Sequence, residues 1–78
     1  MNKFRRKLVK VLCDKLVQIH CEIVKITDEE QKCLDNIPEN LSFSQIAENS
    51  KDSIVSLVSA RYFLIDCIKE LEYIVDNT

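Results

Sequence analysis

Glycine and tryptophan are missing from all 78 residues, and proline, histidine and methionine occur once each. Each scarcity excludes something. Tight turns between strands usually need glycine to reach positive φ, so a sheet of short strands is not expected. A glycine-rich phosphate loop is impossible for the same reason. The single histidine, His20, cannot supply a multi-histidine metal centre, and there is no H-E-x-x-H pair. The cysteines at 13, 21, 33 and 67 contain no C-x-x-C unit, which removes zinc ribbons and thioredoxin-type motifs. No uninterrupted apolar run approaches the roughly 20 residues of a membrane span. Lys10, Asp14 and Lys15 break up the apolar residues near the start, so no secretory signal is expected. The thiols are then expected to be free, in a reducing cytoplasm.

Among what is present, 46% hydrophobic and 31% charged residues describe a folding chain and not a disordered one. A core drawn from 78 residues is marginal without help from a staple or a partner. The apolar positions keep helical spacing. Val9, Leu12, Leu16, Ile19, Ile23 and Ile26 step by alternating threes and fours, a heptad seam, and Cys13, Val17, His20 and Val24 form a second stripe beside it. Two stripes are wider than one partner helix covers. Asp35-Asn36-Ile37-Pro38-Glu39-Asn40 breaks the pattern, because Pro38 lacks an N–H and disfavours helical geometry at Ile37. Leu41 is expected to tuck under this turn. A second helix is expected to start after a capping box, Ser42 to Gln45, with possible irregularity near 49–52. Its seam reads Ile54, Leu57, Arg61, Leu64, Ile68, Leu71 and Val75, flanked by Val58, Ala60, Ile65, Cys67 and Ile74. The expectation is a single all-α domain over 1–78. Helix 1 covers about 3–35, a connector 36–42, and helix 2 about 43–76. This long antiparallel two-helix hairpin would pair with copies of itself into a helical-bundle homo-oligomer, dimeric or higher, to hide what one neighbour cannot cover.

Net charge is −2, which argues against general nucleic-acid binding. Residues 1–25 carry seven Lys/Arg and two Asp/Glu, a balance of +5, while residues 26–78 carry four and eleven, a balance of −7. An antiparallel fold sets the basic start beside Asp66, Glu70, Glu72 and Asp76. Mutual neutralisation is one consequence, and a basic mouth for an anion, built on Arg5, Arg6 and Lys7, is the other. Arg61 lies in the seam, where a guanidinium is costly unless paired. It is expected either to meet Asp28, Glu30 or another acid on the facing helix, or to line a cavity and bind a phosphate bidentately. His20 reads as a partly buried seam neighbour with a hydrogen-bond partner. The thiols read as small core residues, and Asp28-Glu29-Glu30 as a solvated face. A divalent-metal site from Glu30 and its copies is the sharper alternative for that acidic run. Nothing here forms a nucleophile with a base, so neither enzyme chemistry nor a cofactor is expected.

The connector Asp35-Asn36-Ile37-Pro38-Glu39-Asn40-Leu41 resembles that of small helical-hairpin proteins of Firmicutes and their phages, which carry a D-N-I-P-E-N-L link between two long helices. The resemblance extends over the whole plan in length and order. Ile54–Ile68 is more apolar here than the acidic, alanine-rich second helix of those proteins. In size and in its need to associate, the chain is also similar, more loosely, to phage sponge proteins that sequester cyclic nucleotide signals. That resemblance implies a counter-defence protein of the host-cell cytoplasm. Its ligand sites would lie between hairpins, with Arg5, Arg6, Arg61 and Lys69 on phosphates, and Asn36, Pro38 and Asn40 in the connector. The amides of Asn36 and Asn40 would read base edges, and Tyr62 or Phe63 would stack a base. The leading functional expectation is therefore a non-catalytic accessory protein sequestering a small anionic ligand such as a cyclic oligonucleotide. The competing one is an interaction module docking an apolar helical face on a host or phage partner.

Overall fold

The computed structural model describes residues 1–77. Two helices account for most of them: α1, Lys3–Asp35, and α2, Gln45–Asp76. Asn2 opens α1, its Oδ1 accepting from the Arg5 amide at 2.8 Å and satisfying one of the orphan N–H groups of the first turn. The helix closes at Asn36, whose amide donates to Lys32 O and Leu34 O. Pro38 prevents continuation, and a single 3₁₀ turn, Glu39–Leu41, reverses the chain. The antiparallel pair is a rod of 59 × 14 × 14 Å. Its radius of gyration is 17.6 Å, against roughly 11.5 Å for a compact chain of this length.

The start of α2 differs from expectation by one cap. Ser44 and not Ser42 is the N-cap, its Oγ accepting from the Ala47 amide at 3.2 Å. Gln45 therefore lies in the first turn, and its amide reaches forward to Asn49 Oδ1 instead of back to a cap. Ser42 is drawn into the connector, where its carbonyl accepts from Lys51 Nζ at 3.1 Å. The same ammonium meets Glu48 Oε1 at 3.2 Å and sits 5.5 Å from the centre of the Phe43 ring. Lys51 thus clasps the connector to the helix it leads into. Leu41, expected under the turn, is half exposed. No break occurs at 49–52.

Residues shielded between the helices recur at alternating threes and fours on both. On α1 the column is Arg6, Val9, Cys13, Leu16, His20, Ile23, Thr27, Glu30 and Leu34; on α2 it is Ala47, Ser50, Ile54, Leu57, Arg61, Leu64, Ile68, Leu71 and Val75. The α2 seam is the one its sequence spells. On α1 the contact line falls between the two apolar stripes. Val9, Leu16 and Ile23 come from one, Cys13 and His20 from the other, and Leu12, Ile19, Ile26 and Val17 remain exposed. A single helix lying between two stripes covers the inner edge of each and leaves the outer edges wet.

A 2.7 Å hydrogen bond from Ser50 Oγ to Glu30 Oε1 fixes the register. Four residues on along α2 and three back along α1 from that pair, Ile54 lies level with Thr27, and heptad steps from there set Arg61 level with His20, Ile68 with Cys13 and Val75 with Arg6. Cys13 is 3% exposed and Ile68 9%, so this layer is the driest of the apolar ones. Thr27 satisfies its hydroxyl locally, donating to Ile23 O at 2.7 Å.

Candidate functional site

The residues that sequence reasoning selected do not converge. Arg5 and Arg6 are at the open end of the rod, while Asn36, Pro38 and Asn40 are at the connector. Thirty helical residues, about 45 Å at ~1.5 Å rise each, separate Arg6 from Asn36. Arg61 is at mid-rod, facing α1, with Tyr62 and Lys69 exposed beside and beyond it. Functional side chains therefore gather at separate places along the rod.

The first is the polar layer at mid-rod. His20 and Arg61 share a level of the seam, and His20 Nε2 and Arg61 Nε are both buried without a hydrogen-bond partner. Among the described residues no carboxylate pairs with Arg61, contrary to expectation. Glu30 is spent on Ser50, and its level lies ten residues, about 15 Å, along α1 from that of Arg61. Asp28 is exposed. His20, expected to have a partner, lacks one at Nε2 because a cation faces it across the seam.

The second place is the open end. Lys3, Arg6, Lys7 and Lys10 line a cleft floored by Val75, and Arg6 Nε is buried there with no acceptor. Lys10 is held by Asp14 at 2.9 Å, and the Asp14 hydrogen bond and charge raise its pKa above the usual lysine range. Neutralisation across the helices is weaker than the antiparallel fold suggests. Among the described residues the ion pairs are Lys10–Asp14 and Lys51–Glu48, each within one helix. Glu72 is nonetheless close enough to act on two groups of α1. Burial first, and the Glu72 carboxylate second, push the Cys13 thiol upward and keep it protonated. Cys13 is the small core residue expected. Cys21, Cys33 and Cys67 are exposed, because a two-helix layer is too thin to bury more than one column.

The third place was not singled out by sequence as a surface. Cys33 of α1 shares a cleft with Ile46 and Ser53 of α2, so these three lie along one side of the rod. Stepping by sevens from them, the same side carries Ile26, Ile19 and Leu12 on α1, and Ala60, Cys67 and Ile74 on α2. Leu12, Ile19 and Ile26 are 52%, 43% and 52% exposed, and Ile46 is 77% exposed. Between the two columns lie the half-buried Leu16, Ile23, Leu57 and Leu64, which widen the apolar strip. The signal for this side was in the sequence: the first heptad stripe of α1 is its outer edge.

Among the described residues no three His, Cys, Asp or Glu side chains gather as metal ligands, and no helix is long and apolar enough to cross a membrane. Compared with known proteins, the chain matches no family profile, no curated protein and no solved structure.

Proposed function

We propose that this protein is a non-catalytic interaction module that works as a homo-oligomeric helical bundle in the cytoplasm. One observation carries the reading. The hairpin exposes 6038 Å², whereas a folded monomer of its mass exposes roughly 4,900 Å². The excess, about 1,100 Å², is of the size that one partner contributes to a standard interface, ~800 Å². The surface includes the apolar side chains of Leu12, Ile19, Ile26 and Ile46 along one side of the rod, 43% to 77% exposed. A contiguous row of exposed apolar side chains marks an association face. Native mass spectrometry at micromolar concentration tests the reading: an assembly of two or more chains supports it, and a folded lone chain refutes it.

A second reading has its own observation, the cleft of Lys3, Arg6, Lys7 and Lys10 with its unpartnered Arg6 Nε. That cluster suits a small anion, with a cyclic oligonucleotide of the kind that bacterial signalling uses as the sharpest case. It gathers Arg6 but not Asn36, Asn40 or Tyr62, so those residues join a shared site only where a second copy brings its connector to this end. A ligand bound to the folded state raises the melting midpoint by mass action. A panel of cyclic dinucleotides in large excess that leaves the midpoint unmoved removes this reading.

A further inference from the structure

Resting on the self-association reading, we infer that the apolar side of one hairpin takes a second copy lying antiparallel across it. The two-fold axis would be perpendicular to the rod and pass through the level of Ile19 and Ala60. Three observations point to this arrangement over the alternative, in which the axis runs along the rod.

The first is the charge of the ends. Residues 28–52 carry seven Asp/Glu and two Lys/Arg, a balance of −5. At the other end, residues 3–15 balance to +5 and residues 66–76 to −3, which leaves +2. An axis across the rod sets the +2 end of each copy against the −5 end of the other. An axis along the rod sets −5 against −5, which is repulsive.

The second is reciprocal. Lys15 and Glu22 flank the exposed stripe of α1 on the same edge, four residues before and three after Ile19. Both are exposed, and neither has an ion-pair partner among the described residues. Seven residues, about 10 Å, are too far apart to pair along one helix. Reversing α1 on itself about Ile19 brings each Lys15 to within one residue of the level of Glu22 of the second copy, twice over. An isologous interface satisfies both pairs at once. Under the other axis Glu22 falls between Ser56 and Phe63 of the second copy and stays unmatched, and Lys15 alone comes near an acid, Glu70.

The third is size. About the same axis Leu12 meets Ile26 of the second copy and Ile19 meets its own counterpart. On α2, Ala60 meets Ala60 while Cys67 meets Ser53. Large residues thus cover large ones on one helix pair, while on the other the small side chains of Ser53, Ala60 and Cys67 let the middle approach closely and Ile46 meets Ile74 at either end.

Engineered thiols test the geometry. In a chain with Cys21, Cys33 and Cys67 changed to Ser and the buried Cys13 retained, Ile19→Cys and Ala60→Cys are introduced separately and oxidised. Each is expected to form a covalent dimer by itself. If neither does, while an equimolar mixture of the two chains cross-links one to the other, the axis runs along the rod and the inference is overturned. Sedimentation of the same proteins before oxidation separates this failure from that of the underlying reading, since lone chains there refute self-association itself. Charge reversal gives an independent readout. Lys15→Glu is expected to weaken dimerisation about tenfold, two exposed pairs turning repulsive, and adding Glu22→Lys is expected to restore it. No restoration in the double variant contradicts the reciprocal pairing.

Discussion

Arg61 and His20 set the character of the mid-rod seam at the level of single residues. A guanidinium whose Nε is buried without an acceptor costs more than the leucine that its heptad neighbours Leu57 and Leu64 would suggest for that position. Arg61→Leu is therefore expected to stabilise the fold by about 1–2 kcal/mol, read as a higher urea midpoint at fixed protein concentration. A lower midpoint would show that the guanidinium stabilises the seam. Cys13 gives a second prediction at this scale. Its thiol is buried and its pKa raised, so alkylation should be much slower than at the exposed Cys21, Cys33 and Cys67. Mass-mapped labelling at mild pH checks the order. A group that holds its proton more tightly when folded contributes stability below its unfolded pKa and loses it as pH climbs through the folded value. For Cys13 that loss begins above its ordinary 9.0. Lys10 follows the same sign above its ordinary 10.5. The urea midpoint is accordingly expected to fall in alkaline solution above pH 9.0.

At the scale of elements, the capping of α2 separates two serines that look alike in sequence. Ser44→Ala removes the Oγ that accepts from Ala47 and should cost about 1 kcal/mol. Ser42→Ala leaves the carbonyl that holds Lys51 in place and should be close to neutral. Equal losses from both would reinstate the box from Ser42 to Gln45. The two helices, the proline break and the whole α2 seam were legible from spacing alone, because alternating threes and fours admit one reading when a single stripe dominates. On α1 two stripes of similar strength compete, and which edge meets α2 is decided by the pairing. The bond from Ser50 to Glu30 and the clasp of Lys51 on Ser42 and Phe43 were not legible, since each depends on register or turn geometry and not on local pattern. The candidate site was legible as residues and not as a place: Arg6 and the lysines gather, while Asn36, Asn40 and Tyr62 stand far from them.

For the whole molecule, the decisive fact is a mismatch between length and thickness. A rod 59 Å long and 14 Å across has a seam one residue column wide on each side and, among the described residues, no fully buried large side chain. Among the described residues only Cys13, Ala47 and Ile68 form its buried apolar core. So thin a core is weak on its own, and a second hairpin on the Leu12–Ile26 side would convert half-exposed Leu16, Ile23, Leu57 and Leu64 into a four-helix interior. Labelling of Cys67 should then slow as protein concentration rises, while that of Cys21, on the opposite side of α1, stays constant. Analytical ultracentrifugation over a micromolar concentration series tests the central claim most directly. The account predicts a well-folded species of at least twice the 9.1 kDa chain mass, dissociating on dilution with loss of helical signal. A stable, fully helical species at the mass of one chain across the series would contradict it.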